Sequence, residues 1–335
     1  RGKCGEGGRF HVPGMSLMSE IAPHVEANCS KQHVSTDRAI RTREPLEPFV
    51  HQVGGHSALS AALGRVWKPM ILKELTFYQL IWSETFGPCG EWLRKWTPKF
   101  YGLFEREENG DPAPSNAGPL ELTLLAKGKS KEVAQSVATV QASPWGKRLS
   151  ELRLKQKPMG LYTCLEDLTR RFKVPCIMDC KMGTRTYDDD ASPEKKQRHI
   201  EKCRNTTSGK YGIRLSGMQV YRWKDEQYLF RDKYYGRRLR KEDLIASVEE
   251  FFDNGNGVRL DVVEQCIAKL QSLKDFVDTQ KLFYFYSSSL LLVYDACEDG
   301  GSKVAVRMID FAHTQQSFGR NDSGYALGIN TLLET

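Results

Sequence analysis

The sequence lacks several features that would assign it to a protein class at once. Its 335 residues contain no run of eighteen apolar residues, so we expect no membrane-spanning helix. The nine cysteines include no C-x-x-C pair, which disfavours a zinc site and indicates free thiols in the cytoplasm or nucleus. Neither G-x-G-x-x-G nor a Walker A sequence occurs, and no internal repeat is visible. The usual glycine-rich phosphate-binding motifs are therefore excluded.

Positive charge is concentrated in one part of the chain. The formal net charge is +7, but residues 181–241 contain 17 Lys and Arg against 8 Asp and Glu. This window alone carries +9, and the remaining residues sum to −2. Such a local excess is typical of a surface that binds nucleic acid, anionic lipid or a small polyphosphate. The basic run at residues 236–241 lacks interleaved aromatic residues, so nucleic acid is not the expected partner.

The order of the predicted elements favours an α+β protein with two lobes. Residues 1–44 are polar and irregular, and we interpret them as a flexible lead-in. Residues 45–168 would form a first lobe with an antiparallel sheet, interrupted by a breaker-rich, disordered insert over residues 106–157. Residues 169–335 would form a second lobe of mixed strands and helices.

Hydrophobic spacing predicts most of the regular elements. Ser192 is a good N-cap and Pro193 suits the first position of a helix that ends near Arg204. The other predicted helices cover residues 74–82, 242–252 and 261–278, and a short helix closes the chain. The predicted strands and hairpins cover residues 96–104, 159–165, 175–183, 217–230 and 282–309.

The stretch Pro175–Gly183 carries the most informative pair of charges. Asp179 and Lys181 lie two residues apart, so on a strand both side chains would face the same side. Gly183 would let the chain turn or approach a ligand closely. An acid and a base at the end of an apolar strand suit a phosphate site, although an isolated D-x-K is more often an edge-strand ion pair.

Two further acidic positions have a kinase-like setting. Lys68 lies in an apolar strand, and Glu74 follows six residues later at the start of a helix, as in kinases where a strand lysine contacts the ATP phosphates and a helix glutamate holds that lysine. Asp310 ends another apolar strand before Phe311, where a carboxylate can bind magnesium. The alternatives are a surface lysine beside an unrelated glutamate, and an aspartate that caps a turn. His313 could face a substrate phosphate.

The helix after Pro193 would present a basic stripe. Its four basic residues are spaced three, one and three apart, so they lie on one face. They are Lys195, Arg198, His199 and Lys202. They would repel one another unless an anion lay against them, and the alternative is a solvated helix face.

Three motifs in this order resemble those of the inositol polyphosphate kinase family. Pro175-x-x-x-Asp179-x-Lys181-x-Gly183 resembles its hallmark motif, residues 288–291 its Ser-Leu-Leu motif, and residues 309–311 its metal-binding motif. Several segments look most like the inositol hexakisphosphate kinase branch. They are residues 48–56, 189–192, 217–221, 233–237 and 283–287. The resemblance covers residues 45–105 and 158–333.

This resemblance implies a kinase that uses ATP and Mg²⁺ to phosphorylate a phosphate of inositol hexakisphosphate, expected at the 5-position. Asp179 and Lys181 match the catalytic positions, and Asp310 matches the magnesium ligand. The residues implied to form the ATP site are Lys68, Glu74, Glu166, Leu168, Asp179 and Asp310. Those implied to contact the inositol phosphate are Lys181, Lys195, Arg198, Lys202 and His313.

Other substrates remain open within the family. The sequence of residues 179–187 also resembles that of the inositol trisphosphate 3-kinases, and residues 191–195 also match the multikinase branch. A non-catalytic inositol-phosphate-binding pseudokinase is a further alternative, against which the presence of Lys68, Asp179 and Asp310 speaks. We expect a monomer that binds ATP and an inositol polyphosphate.

Overall fold

The computed structural model describes residues 39–42, 46–55, 57–106, 142–155, 160–297 and 303–335. The predicted lead-in at residues 1–44 and the predicted insert at residues 106–157 therefore lie mostly outside the described residues, and both assignments stay predictions there. Within the described ranges no helix is long and apolar enough to cross a membrane.

A six-stranded sheet forms the first lobe, with strand order β1-β5-β6-β4-β3-β2. All neighbours are antiparallel except β1 and β5. Trp67 is fully buried on this sheet and packs with Phe104 and Tyr162. The strands are β1 Ile40–Thr42, β2 Glu47–Pro48, β3 Ser60–Ala62, β4 Arg65–Pro69, β5 Phe100–Arg106 and β6 Gly160–Glu166.

Two helices lie between β4 and β5. Helix α1 spans Leu72–Ile81 and buries Leu75, Phe77 and Tyr78, which fits the helix predicted there. Helix α2 spans Gly87–Trp96. The prediction of a strand from residue 96 was wrong at its start, because Trp96 ends a helix and the strand begins only at residue 100.

The end of the predicted insert is helical. Helix α3 spans Pro144–Lys155, and its residues Trp145 and Leu149 are buried against Ala58. Trp145 and Leu149 are four positions apart, so one face of the helix has a core to pack against. The prediction of a disordered loop up to residue 157 was therefore wrong over this helix.

The second lobe is built around a five-stranded antiparallel sheet of order β12-β11-β7-β8-β9. Strand β7, Pro175–Met182, lies at its centre and is buried along its whole length, so the edge-strand explanation for Asp179 and Lys181 does not hold. A separate two-stranded sheet pairs β10 with β13. The remaining strands are β8 Ile213–Arg222, β9 Gln227–Arg231, β10 Phe283–Phe285, β11 Ser289–Asp295, β12 Val304–Ile309 and β13 Thr314–Gln316.

The four helices predicted in this lobe lie close to their predicted positions, and two short helices were not predicted. Helix α4 spans Pro193–Arg204, and the Ser192 hydroxyl accepts a hydrogen bond from the Lys195 amide, as its N-cap role requires. The other helices are α5 Thr207–Tyr211, α6 Lys233–Gly236, α7 Lys241–Phe252, α8 Leu260–Thr279 and α9 Ser323–Glu334. The predicted α+β class with two lobes is confirmed.

Strand register brings distant motif residues to one end of this sheet. Ser289 of β11 lies opposite Lys181 on one side and Ile309 on the other. Asp310 directly follows Ile309, so it emerges beside the end of β7. The hallmark motif and the metal-binding motif meet because β11, the Ser-Leu-Leu strand, pairs with both.

Candidate active site

A buried ion-pair network joins the two lobes. The Lys68 ammonium lies 2.8 Å from Glu74 Oε1 and 2.6 Å from Asp310 Oδ1. Glu74 Oε1 also accepts a hydrogen bond from the Phe311 amide at 3.0 Å. Burial opposes the charge on Lys68, but Asp310 and Glu74 outweigh it and raise the pKa of this ammonium. The predicted Lys68–Glu74 pair therefore forms, and it extends to Asp310.

Asp310 has an uncommon backbone conformation. Its φ of +66° lies in the left-handed region, which non-glycine residues rarely adopt and which aspartate tolerates better than most. Its Oδ2 lies 3.8 Å from the Lys181 ammonium, on the opposite side from Lys68. The contacts to Lys68 and Lys181 hold the carboxylate at the junction of both lobes.

Asp179 and Lys181 face the same side of β7, as predicted. Lys181 donates a hydrogen bond of 2.6 Å to the Ser287 carbonyl oxygen. Burial raises the pKa of Asp179 to about 6, and the nearby Lys181 only partly offsets this effect. Gly54 lies directly on Asp179, since a Cβ at this position would come within 2.5 Å of Asp179 Oδ2. The turn that contains Gly54 and Gly55 therefore contacts the motif acid.

These groups line a cavity of about 340 Å³, which we call the nucleotide cavity. Glu166 and Leu168, at and just beyond the end of β6, belong to its lining, as predicted. Apolar side chains such as Val66, Ile177 and Leu291 form its other walls. A cavity that combines apolar walls with several charged groups suits a flat ring that carries phosphates.

A second, strongly basic cavity adjoins the first, and we call it the basic cavity. It shares Asp179, Lys181 and His199 with the nucleotide cavity. The five lysines and arginines of its lining are Lys181, Lys202, Arg214, Lys233 and Arg237. Burial, and then the charge of Arg237, lowers the pKa of Lys202, and burial likewise lowers the pKa of Arg214. Cations that disfavour one another in this way are stabilised by a polyanion.

Helix α3 contributes to the basic cavity through Trp145. The Lys233 ammonium lies 4.1 Å from the centroid of the Trp145 ring, within the range of a cation–π interaction. Burial, followed by Arg237 and Arg148, lowers the pKa of Lys233 to about 8. Trp145 also donates a hydrogen bond of 3.4 Å to the Gln52 carbonyl oxygen, near the Gly-Gly turn.

The predicted basic stripe on α4 is divided by the structure. Lys195 lines the nucleotide cavity and Lys202 lines the basic cavity. Arg198 is exposed and lines neither cavity, so the structure does not bring it to the site. At about 100° per residue, Arg198 lies about 60° from Lys195 and about 100° from His199 around the helix axis, so it is at the edge of the basic face. His313, which was predicted to contact the inositol phosphate, lines the nucleotide cavity and not the basic cavity.

A family model for inositol polyphosphate kinase matches residues 162–335, just over half of the chain. The chain belongs to the inositol polyphosphate kinase family. Full-length relatives agree. Inositol hexakisphosphate kinase 3 of Mus musculus is 31% identical over 90% of this chain and 97% of its own length. Inositol hexakisphosphate kinase 1 of Rattus norvegicus is 30% identical over 86% and 92%.

A solved structure supports the fold of this family member. The inositol phosphate multikinase of S. cerevisiae, in complex with ADP and Mn²⁺, covers 81% of this chain and 96% of its own, with a TM-score of 0.56 and 22% identity. The two-lobed α+β fold is therefore shared. Membership of the family confirms the prediction that the chain is a kinase.

Sequence reasoning missed several residues of this kinase site. Arg214, Lys233 and Arg237 line the basic cavity but were not predicted as site residues. The charge window contains all three, and Arg214 stands out as a charge within the apolar start of β8. Trp145 gave no signal, since it follows a segment without regular periodicity.

The site contains carboxylates suited to a divalent cation. Among the described residues, no group of three or more acidic, histidine or cysteine side chains forms a metal cluster. Magnesium needs only one or two carboxylates when phosphates and waters complete its shell. Asp310, with Asp179 on the same cavity, fits that requirement.

Proposed function

We propose that this chain transfers the γ-phosphate of ATP to a phosphate group of inositol hexakisphosphate. The products are ADP and a diphosphoinositol phosphate. The observation that carries the proposal is the basic cavity, which presents five lysine and arginine side chains directly beside the nucleotide cavity. A phosphate monoester carries about −1.5 to −2 charges at neutral pH, so a hexakisphosphate matches this density of cations well.

The nucleotide cavity supports ATP as the donor. Its apolar walls suit the adenine ring, and Lys68 lies where a strand lysine of kinases contacts the phosphates. The multikinase structure with a similar fold holds ADP and Mn²⁺. Mg²⁺ held by Asp310 and the ATP phosphates would neutralise charge on the transferred group.

The residues of the chain supply positioning and charge. An oxygen of the acceptor phosphate forms a bond to the γ-phosphorus of ATP. The bond between the γ-phosphorus and the β–γ bridging oxygen breaks, and this oxygen leaves with ADP. The acceptor is already ionised, so no strong general base is needed. Lys181 lines both cavities, and this position supports a role of its ammonium in stabilising the group in transfer. Asp179 acts as a positioning acid.

The names of related proteins add support for inositol hexakisphosphate as the acceptor. The curated proteins that match over at least 86% of this chain include several named inositol hexakisphosphate kinases. The fold is shared with a multikinase, so a substrate with fewer phosphates is the second candidate. An acceptor with three phosphates would leave part of the cation set of the basic cavity without a partner.

A substrate panel tests the proposal. Purified protein is incubated with ATP, Mg²⁺ and inositol phosphates that carry three to six phosphates, and the products are separated by charge. We expect turnover of the hexakisphosphate to a species with one additional phosphate. Lys181→Met, purified in the same way, is the matched inactive control. Turnover of the trisphosphate alone would replace the proposal by the second candidate, and binding without turnover would indicate a pseudokinase.

A further inference from the structure

Asp188 is a buried carboxylate that lines neither cavity but touches residues that do. Only 4% of its surface is exposed. Its Oδ2 lies 2.9 Å from His313 Nδ1 and 3.0 Å from the Lys73 ammonium. Its Oδ1 lies 3.8 Å from the Lys195 ammonium. A carboxylate with three basic neighbours at the edge of the site calls for an explanation beyond packing.

The three partners come from three parts of the fold. Lys73 is on α1 of the first lobe, directly before Glu74 of the ion-pair network. Lys195 is in the first turn of α4, and His313 follows Asp310 by three residues. Lys195 and His313 both line the nucleotide cavity close to His199, and His199 also lines the basic cavity. Asp188 therefore lies behind the side chains of Lys195 and His313 in the wall of the nucleotide cavity, where the two lobes meet.

The contact to His313 determines which ring nitrogen faces the cavity. An ionised carboxylate only accepts hydrogen bonds, so His313 Nδ1 carries the proton that it donates to Asp188. Burial opposes ionisation of Asp188, but the hydrogen bonds from His313 and Lys73 outweigh it and hold the pKa of this carboxyl well below its usual range. Nε2 of His313 is then the nitrogen left for a ligand.

We propose that Asp188 is a positioning residue for the inositol phosphate. It orients His313 and Lys195 toward the phosphate groups of the acceptor, where the nucleotide cavity adjoins the basic cavity. Through Lys73 it also connects helix α1 to helix α4 and to His313. This inference rests on the proposed function and adds the residue that organises one side of its substrate site. A purely structural ion pair is the competing explanation.

The isosteric variant Asp188→Asn tests the inference. It removes the charge that orders His313 and Lys195, so we expect the KM for the inositol phosphate to rise about tenfold while the KM for ATP changes less than about twofold. Asp190→Asn is the matched control. Asp190 is exposed and pairs with Lys73 at 2.7 Å, and no contact to His313 or Lys195 is described for it, so near-wild-type kinetics are expected.

A double-mutant cycle separates positioning from stability. If Asp188 acts through His313, the variant with both Asp188→Asn and His313→Gln loses little more than either single variant, instead of the product of the two losses. Equal rises in both KM values, or independent effects of the two changes, would indicate a structural role and overturn the inference. Thermal melting of each variant checks that the fold is retained.

Failure of the proposed function is recognised separately. The kinetics use whichever inositol phosphate the wild-type protein phosphorylates, so a different substrate leaves the comparison intact. If the wild-type protein binds inositol hexakisphosphate without turnover, calorimetry in the absence of ATP replaces kinetics. An affinity of Asp188→Asn equal to that of the wild type would then overturn the inference, whereas a tenfold loss would support it.

Discussion

Lys181 is one of the residues that line both cavities. Its ammonium lies between the Ser287 carbonyl oxygen at 2.6 Å and Asp310 Oδ2 at 3.8 Å, and only 6% of the residue is exposed. A buried, tethered cation needs little reorganisation when negative charge develops beside it. The position of Lys181 thus agrees with a role at the transferred phosphoryl group.

At Asp310, removal of one charge tests the metal assignment. Asp310→Asn keeps the side-chain size but removes the charge that pairs with Lys68 and would bind Mg²⁺. We expect kcat to fall by about 100-fold or more, because charge stabilisation of the transition state is lost. Steady-state kinetics at saturating ATP with varied Mg²⁺ measure the effect. Asp278→Asn, in an exposed ion pair with Lys274 on α8, is the control, and an unchanged kcat for Asp310→Asn would refute the assignment.

The lowered pKa of Lys233 leads us to expect that binding of the inositol phosphate depends on pH. Its lowered pKa of about 8 means that the ammonium is charged at pH 7 and loses its proton as the pH rises through 8. The bound polyanion requires the charged form, so affinity for inositol hexakisphosphate should fall about tenfold between pH 7 and pH 9. Lys233→Arg stays charged throughout and should give a flatter profile. Calorimetry at several pH values compares the two, and identical profiles would contradict the prediction.

At the scale of elements, the pairing of β11 with both β7 and β12 assembles the catalytic end of the second lobe. Lys181 and Ile309 are both register partners of Ser289, so Asp310 is delivered next to Lys181. Lys68 reaches the same point from β4, and Glu74 from α1. Each charged group is carried by a regular element or lies at its end, which fixes the distances between them.

Helix α3 supports the site from within the segment predicted to be an insert. Trp145→Leu removes the aromatic face above Lys233, and we expect the KM for inositol phosphate to rise about three- to tenfold. Trp145→Phe keeps an aromatic face and loses only the hydrogen bond to Gln52, so it should keep most of the affinity. Kinetics with both substrates and thermal melting are measured for each variant. Equal effects of the two changes on KM would show that the ring does not act on Lys233.

At the scale of the whole molecule, charge is distributed unevenly between the segments. The +9 window supplies Lys181, Lys202, Arg214, Lys233 and Arg237, which converge on one cavity. The first lobe contributes Lys68 and Glu74. The site is therefore formed by contacts between the lobes, such as the ion pair of Lys68 with Asp310. The molecule thus separates the partly apolar nucleotide cavity from the strongly basic cavity beside it.

This separation predicts a strong salt dependence of acceptor binding. The Debye length falls from about 10 Å at 0.1 M salt to about 3 Å at 1 M, so the dissociation constant for inositol hexakisphosphate should rise steeply over that range. Titrations at several salt concentrations measure the slope. A variant with both Lys202→Ala and Lys233→Ala should bind more weakly with a shallower slope. The prediction fails if this variant keeps the wild-type slope.

Much of the fold follows from local patterns. The helix after Ser192, the helices at residues 241–252 and 260–279, and the hairpin turning at residues 223–225 were predicted closely, because capping signals and periodicity act within one element. Helices α2 and α3 were missed, as were the short helices α5 and α6. Their stability comes from packing of residues such as Trp145 against distant parts of the chain, which no local pattern reveals.

The sequence by itself determined the reaction class, through the motifs around Asp179 and Asp310, and the polyanionic nature of the partner, through the basic window. Only the tertiary structure decided which cations share a cavity, that Arg198 stays outside it, and that Asp188 stands behind His313. Spacing along a helix or strand fixes the face of a side chain. Contacts such as Lys68 to Asp310, which are 242 residues apart, depend on how sheets and helices pack.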